Sequence, residues 1–329
     1  MVDLVSLGEV MLRMSPPRHE RLRQATRLDV CVAGSQLNVA ADLAQLGKRT
    51  VFVSKLPANE LGLLARGACQ AYGVDVSHLR LVEGKRMGVN YLEFGATPRA
   101  GVAVYDRAGS AASSIAAGDF AWADITRGAR LAYTDGIFPG LGAECFEATL
   151  AFLTAARDQG AVTCFDVNYR EHLWTEERAR AAWQEILPLV DILATNRSVS
   201  ELVFGYEGSD EDLLAQYHDA FGCRTVCLTH REMFGVLHGA WSSAALHEGA
   251  LFQGRRYEFD VVDRFGTGDA WFAGFLYGYL ELAGDVQLAL DFGDALCALA
   301  HTIEGDVARV SAEEVMPLLA AEHDLRVRR

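Results

Sequence analysis

The second half of the chain alternates short apolar segments with longer amphipathic ones, and this alternation restricts the fold more than any other feature. We predict strands over 130–134, 161–166, 190–195 and 225–229. We predict helices over 144–157, after the cap Thr175, from a capping box over 198–201, and over 268–282 and 286–303. Strands that alternate with helices predict an α/β fold with a mostly parallel sheet covered on both faces.

The first half follows the same pattern with one interruption. A strand over 2–7 ends at Gly8, and a helix over 37–46 ends at Gly47. Between 87 and 105, two short strands flank a turn that contains Gly and Pro, with no helix between them. We therefore predict a small antiparallel sheet inserted into the α/β chain.

Composition limits the partners of this protein. The 329 residues carry a formal net charge of −14, which repels nucleic acid and anionic membranes, so neither is expected as a partner. A few local arginines can still reverse the sign inside a cleft and admit a small anion. The seven cysteines include no CxxC pair, which favours reduced thiols in a cytoplasmic protein. We predict neither a signal peptide nor a membrane span.

The residues that follow the strands are the candidates for a site, because ligands of open parallel sheets bind at the carboxyl ends of the strands. Gly266-Thr267-Gly268-Asp269 precedes the first of the two long helices. Two glycines allow a tight turn, and free N–H groups at a helix start attract anions. Asp269 is then either a carboxylate base or only a favourable charge at the helix N-terminus.

Two further segments satisfy the same rule. Gly34 bends the chain before a helix whose first turn carries Asn38, which is either a ligand or a solvent-facing polar residue. Asp166, Asn168 and Arg170 alternate directly after a strand, so they point to one side if the chain stays extended. Such a set suits phosphate binding, although a solvated strand end has the same composition.

Several other catalytic signatures are missing from the sequence. There is no GxxxxGK[ST] motif of P-loop enzymes, no HExxH and no GxSxG. The nine histidines are scattered along the chain, so they favour structural roles over a ligand cluster.

Taken in order, the three segments resemble the ribokinase-like (pfkB) carbohydrate kinase family over nearly the whole chain. The family's DTxGAGD-type signature corresponds to 263–269, and its GGxxxN-type segment corresponds to 33–38. Within the family, the chain is most similar to 2-keto-3-deoxygluconate kinases. That similarity lies in the segments 8–17, 91–93, 105–107, 166–170 and 301–306.

The resemblance implies one ribokinase-like domain over 1–329, with a three-layer α/β/α core and a β lid formed by roughly 10–33 and 87–108. It implies an ATP-dependent sugar-acid kinase that uses Mg²⁺, with room for a monovalent cation. Asp269 would take the proton of a primary hydroxyl, and the Gly266, Thr267 and Gly268 amides would stabilise the transferring phosphate. The sugar acid would contact Gly34, Ser35, Asn38, Tyr91, Tyr105, Arg107, Arg170 and Asp306.

The implied nucleotide side departs from the family pattern. Its candidates are Asn168, Asn196, Thr229, Arg231, Gly235, Gly266, Gly268 and Asp294. Val199 stands where the family's NxxE segment has Glu, and Asp294 stands where Asn is common. Arg231 and Phe234 occupy glycine positions of a TxGxxG-type turn over 229–235. The protein ligands of the metal ion are left unassigned.

Alternatives to a sugar-acid kinase remain open. A ketose or a nucleoside kinase fits the same motifs, although Arg107 and Arg170 favour an acid because a guanidinium can bind a carboxylate in bidentate fashion. A non-catalytic sugar-acid-binding protein would explain the altered nucleotide turn. Exposed lid strands and family habit predict a homo-oligomer that pairs through the lid.

Overall fold

The computed structural model describes residues 1–282 and 284–320. The strands are β1 (Val2–Leu7), β2 (Met11–Ser15), β3 (Asp29–Ala33), β4 (Thr50–Pro57), β5 (Leu79–Val82), β6 (Gly88–Glu93), β7 (Val102–Asp106), β8 (Ala129–Asp135), β9 (Val162–Asp166), β10 (Ile192–Asn196), β11 (Thr225–Met233), β12 (His238–His247), β13 (Ala250–Gln253) and β14 (Tyr257–Asp260). The α-helical segments are α1 (Ser35–Gln45), α2 (Glu60–Ala71), α3 (Trp122–Ile125), α4 (Ala143–Asp158), α5 (Glu176–Ile186), α6 (Arg197–Val199), α7 (Asp210–Phe221), α8 (Thr267–Glu281), α9 (Val286–His301) and α10 (Ala312–Leu319).

The main sheet has the strand order β13-β12-β11-β10-β9-β8-β1-β4-β5, with β14 also paired to β12. Neighbouring strands from β11 to β5 run parallel, whereas β12 runs antiparallel to β11, β13 and β14. The predicted α/β fold with a mostly parallel sheet is thus confirmed. The carboxyl ends of β1, β8, β9 and β10 meet at one edge of this sheet.

Helices cover both faces of the sheet. Successive residues of each strand point to opposite sides, so each face has its own apolar side chains to bury. Leu4 of β1 belongs to an apolar cluster that includes Phe272 of α8. The next residue, Val5, belongs to a second cluster that includes Phe152 of α4. The two clusters are the two cores of a three-layer arrangement.

None of the helices in the described part of the chain combines the length and the apolar character that crossing a bilayer requires.

A second, four-stranded sheet has the order β3-β2-β6-β7. The pairs β2–β3 and β6–β7 are antiparallel, and β2 and β6 are parallel to each other. All five residues of β7 are exposed. The strands of this sheet lie within 10–33 and 87–108, the two segments that the family resemblance assigns to a lid.

Two local features differ from the sequence analysis. The strands β12, β13 and β14 were not predicted, because β12 is rich in Ala and Ser and lacks a clear apolar alternation. The predicted capping box over 198–201 is wrong: Asn196 caps the helix instead, and its side chain accepts a hydrogen bond from the Val199 amide at 3.0 Å. Glu201 pairs with Arg197 on the surface.

Candidate active site

The turn before α8 has the geometry of an anion-binding site. Gly266 has φ of 74°, and a Cβ atom there would lie 1.9 Å from the carbonyl oxygen of Asp306, so the position requires glycine. The first helical hydrogen bond runs from the Ala270 amide to the Gly266 carbonyl oxygen at 2.8 Å. The N–H groups of Thr267, Gly268 and Asp269 precede that bond and are available to an anion.

Asp269 is held by two residues of α1. Ser35 Oγ donates to Asp269 Oδ1 at 2.7 Å, and Asn38 Nδ2 donates to Asp269 Oδ2 at 2.7 Å. Helix α1 can approach this closely because its N-cap is Gly34, where a Cβ atom would lie 2.1 Å from the Glu9 carbonyl oxygen. The structure therefore brings Gly34, Ser35 and Asn38 together with Asp269.

A layer of polar residues lies behind Asp269, at the carboxyl ends of β8 and β9. Asn168 Nδ2 donates to Ser35 Oγ at 2.9 Å and to Asp135 Oδ2 at 2.9 Å, which connects this layer to the α1 contacts. Asp135 is fully buried, and its Oδ1 accepts hydrogen bonds from Gln36 and from the Ile137 amide. Asn168, which was predicted to bind the nucleotide, has its side-chain amide between Ser35 and Asp135.

Three carboxyl groups share this space, so they do not ionise independently. Burial raises the pKa of Asp269 to about 7, although the hydrogen bonds from Asn38 and Ser35 lower it. Burial and the charges of Asp135 and Asp269 raise the pKa of Asp166 to about 8, and burial raises the pKa of Asp135. A carboxylate whose pKa lies near neutrality is suited to accept and release a proton at neutral pH.

A pocket of about 350 Å³ contains three of the predicted acceptor residues. Tyr105, Arg107 and Arg170 line it, together with His172 and Leu173. Arg170 is exposed, and its only side-chain hydrogen bond within the described residues goes to the carbonyl oxygen of Tyr169 at 3.3 Å. Its guanidinium is therefore available to a ligand.

Arg107 has a second role that the sequence analysis missed. Its Nε donates to Glu9 Oε2 at 2.9 Å, and its Nη2 contacts the same oxygen. Glu9 is 1% exposed, and its Oε1 accepts a hydrogen bond from Ser110 Oγ at 2.7 Å. Glu9 directly follows the Gly8 that ends β1, so the rule about the carboxyl ends of strands could have found it.

Two predicted acceptor residues lie elsewhere. Tyr91 is half-buried in β6, paired with Met14 of β2 and Val104 of β7, and is not among the residues around this pocket. The Asp306 side chain is taken up by a buried ion pair, because its Oδ1 lies 2.5 Å from Arg13 Nη1.

Arg13 of β2 holds two carboxylates at once. Its Nη2 lies 2.8 Å from Asp263 Oδ2, in addition to the contact with Asp306. The guanidinium contacts the rings of Phe94 and Phe265, 5.6 Å and 5.9 Å from their centroids. We call this group the Arg13 bridge; it connects the second sheet to the segment that leads into the 266–269 turn.

Three of the predicted nucleotide ligands use their side chains in hydrogen bonds within the protein. Asn196 is the cap of α6, and Thr229 Oγ1 donates to the Thr195 carbonyl oxygen at 3.3 Å. Asp294 is fully buried, and its Oδ1 accepts from Ser243 Oγ at 2.7 Å and Trp271 Nε1 at 2.9 Å. The prediction that Asp294 contacts a nucleotide is therefore wrong for this arrangement, because the side chain lies in the core.

The predicted turn over 229–235 is also wrong, because β11 continues to Met233. Arg231 lies within this strand, and its Nη2 donates to Thr267 Oγ1 at 2.8 Å, which brings it to the 266–269 turn. Gly235 is in the hairpin after β11 and lines a second cavity of about 320 Å³ with Arg264 and Phe265.

The described residues contain no cluster of three or more His, Cys, Asp or Glu side chains that could hold a metal ion. A magnesium ion that accompanies a nucleotide is commonly held by one or two carboxylates and by the nucleotide's phosphates.

Comparison with known proteins gives full-length matches. A family model described as pfkB family carbohydrate kinase matches residues 1–312. The 2-dehydro-3-deoxygalactonokinase of Haloferax volcanii is 35% identical over 318 residues, which cover 96% of this chain and 96% of that protein. The 5-dehydro-2-deoxygluconokinase of Clostridium perfringens is 27% identical over 325 residues, which cover 97% of this chain and 91% of that protein.

The crystal structure of a 2-dehydro-3-deoxygluconokinase from Thermotoga maritima matches this fold with a TM-score of 0.93 at 36% sequence identity. The match covers 97% of this chain and 98% of that one. The chain is thus a phosphotransferase that acts on an alcohol group, and it belongs to the pfkB family of carbohydrate kinases.

Proposed function

We propose that the chain transfers the γ-phosphoryl group of ATP to the primary hydroxyl of 2-keto-3-deoxygluconate or a close relative. The pocket that contains both Arg107 and Arg170 carries this proposal. Guanidinium groups bind carboxylates through paired, charge-assisted hydrogen bonds. Glu9 occupies Nε and Nη2 of Arg107, so Nη1 and the whole Arg170 guanidinium are the groups offered to an acidic substrate.

In the proposed reaction, Asp269 acts as the base. The proton of the primary hydroxyl passes to a carboxylate oxygen of Asp269 while the hydroxyl oxygen forms a bond to the γ-phosphorus. The bond from that phosphorus to the bridging oxygen breaks, and its electron pair stays on ADP. The amides of the 266–269 turn stabilise the charge on the transferring group, which is the largest contribution expected in this chemistry.

A panel of acceptors tests the proposal. ADP release would be measured with 2-keto-3-deoxygluconate, its galactonate epimer, 5-keto-2-deoxygluconate, fructose and a nucleoside. We expect turnover on one or more of the keto-deoxy acids and much weaker turnover on the neutral acceptors. Preference for a neutral sugar would contradict the acid-binding role of Arg107 and Arg170. Sugar-acid binding by calorimetry without any ATP binding would instead favour a non-catalytic protein.

The raised pKa of Asp269 predicts how activity depends on pH. Only the unprotonated carboxylate can accept a proton, so kcat/KM for the acceptor should fall about tenfold per pH unit below a pKa of about 7 and level off above it. Initial rates at saturating ATP between about pH 5 and about pH 9 measure this profile. The thermal midpoint across the same range separates titration from unfolding. A profile that is level down to about pH 5 would contradict the assignment.

We also propose that a second copy of the chain covers the outer face of the second sheet. Val102 and Val104 of β7 are 46% and 50% exposed, and Val30 of β3 is 51% exposed. Exposed strand edges favour pairing with another chain. Light scattering should give the mass of a dimer or a larger oligomer, and Val104→Glu should shift it toward the monomer. A monomeric mass for the unmodified chain would contradict the proposal.

A further inference from the structure

Arg231 stands where the family resemblance predicts a glycine, and its side chain is held in a defined position. Its Nη2 donates to Thr267 Oγ1 at 2.8 Å. Thr267 is 1% exposed, and its hydroxyl donates in turn to the carbonyl oxygen of Arg264 at 3.2 Å. Because the hydroxyl is fixed on both sides, it fixes the guanidinium beside the turn that precedes Asp269.

A buried aromatic ring supports the guanidinium from the other side. The Arg231 Cζ atom lies 5.2 Å from the centroid of the Trp241 ring, and the two residues face each other across the β11–β12 pair. Trp241 is 4% exposed, so its ring cannot swing away. Cation–π contacts of this kind favour one orientation of an arginine side chain.

Two other arginines, Arg264 and Arg170, lie near Arg231, and Asp269 is the carboxylate that acts on it. Within residues 1–282 and 284–320, none of Arg231, Arg264 and Arg170 makes an ion pair with a carboxylate. Arg231 is exposed. Desolvation of its guanidinium and the charges of Arg264 and Arg170 lower its pKa, and the Asp269 carboxylate raises it. The adjacent N-terminus of α8 adds the positive end of the helix dipole. An arrangement of this kind is unfavourable by itself and becomes favourable when an anion lies between these groups.

We infer that Arg231 binds the phosphate oxygens of the nucleotide at the 266–269 turn and stabilises the charge that moves toward ADP during transfer. The inference rests on the proposed ATP-dependent reaction. As the bond between the γ-phosphorus and the bridging oxygen breaks, that oxygen gains an electron pair. A guanidinium fixed beside it offers two donors without reorganisation. Arg231 is thus assigned as a phosphate ligand at the 266–269 turn.

Three variants of Arg231 test the inference. Arg231→Ala removes both charge and donors, and Arg231→Lys keeps only the charge. Arg231→Gln keeps a donor for Thr267 Oγ1 without the charge. Arg256→Ala is the matched control, because Arg256 makes surface ion pairs with Glu232 and Glu258 at the same edge of the sheet. Thermal midpoints of the four unliganded proteins show that each one folds.

For Arg231→Ala, we expect kcat/KM for ATP to fall by about 10²–10³-fold, as when one transition-state donor is removed elsewhere. KM for the sugar acid should stay near its original value, Arg231→Lys should recover part of the rate, and Arg256→Ala should match the unmodified enzyme. If Arg231→Ala and Arg231→Gln both keep the unmodified kcat/KM for ATP, the inference is overturned.

Ligand binding without turnover separates this inference from the proposed function. ADP and inorganic tripolyphosphate should each raise the thermal midpoint of the unmodified chain, and Arg231→Gln should lose most of that shift. The same shift in Arg231→Gln as in the unmodified chain would overturn the inference even if the kinase activity is present. If neither ADP nor tripolyphosphate raises the thermal midpoint of the unmodified chain, the inference is also overturned. Absence of sugar-acid turnover together with an Arg231-dependent shift would contradict the proposed function alone.

Discussion

Replacing Asp269 with Asn is expected to lower kcat by about 10²–10⁴-fold, the usual contribution of a positioned general base. The amide has nearly the same shape as the carboxylate, so the fold should persist. Ser35 can still donate to the remaining oxygen. The amide can also turn so that its oxygen accepts from Asn38 Nδ2 and its nitrogen donates to Ser35 Oγ, because a hydroxyl can also accept a hydrogen bond.

Single-turnover rates with saturating ATP and sugar acid measure the loss in Asp269→Asn. Asp260→Asn is the matched control, since the Asp260 side chain is 90% exposed and lies in β14, outside the site. Calorimetry should show that Asp269→Asn still binds the sugar acid. A rate within about tenfold of the unmodified enzyme would show that the proton goes elsewhere, and the Asp166 carboxyl group would then be the next candidate.

Replacing Arg107 with Ala is expected to destabilise the fold by about 3–5 kcal/mol, because it leaves the Glu9 carboxylate buried without its partner. Glu9 is 1% exposed and Arg107 is only 11% exposed in the side chain, so solvent cannot replace the lost ion pair. Denaturant unfolding measures the free energy of unfolding directly. The variant should also bind the sugar acid more weakly.

Two comparison variants separate the structural role of Arg107 from its role in binding. The double variant with Glu9→Gln and Arg107→Ala has no unpaired buried carboxylate at position 9, so it should recover part of the stability that Arg107→Ala loses. Arg170→Ala removes an exposed guanidinium without an ion-pair partner in the described chain, so its stability should change by less than about 0.5 kcal/mol while sugar-acid affinity falls. Equal stability of Arg107→Ala and the unmodified chain would contradict the buried-pair interpretation.

The fold was predictable because its signals are local and repeated. Each strand from β8 to β10 is followed by helical segments, and this repetition specifies a parallel sheet. Strand β12 escaped prediction because its Ala and Ser residues provide no clear apolar alternation, and β13 and β14 are only 4 residues long each. The pairing of β12 with β11 also explains why Thr229 to Met233 form a strand and not the expected turn.

The acceptor side of the site was easier to predict than the nucleotide side, for a physical reason. Ser35 and Asn38 lie on one helical face, so their joint contact with Asp269 follows from helical spacing. Asn196, Thr229 and Asp294 instead satisfy local hydrogen bonds that depend on tertiary neighbours. Glu9 was overlooked because its partner, Arg107, is distant in the sequence.

The Arg13 bridge has a consequence for how the two substrates affect each other. It ties β2, a strand of the second sheet, to Asp263 and Asp306, which flank the phosphate turn on either side. Displacing β2 would leave the buried Asp263 and Asp306 carboxylates without their Arg13 partner, so the sheet and the turn are expected to shift together. Any ligand that favours one position of the turn then favours one position of the sheet. The affinities for nucleotide and sugar acid should therefore be thermodynamically linked, and each ligand should change the other's dissociation constant by the same factor.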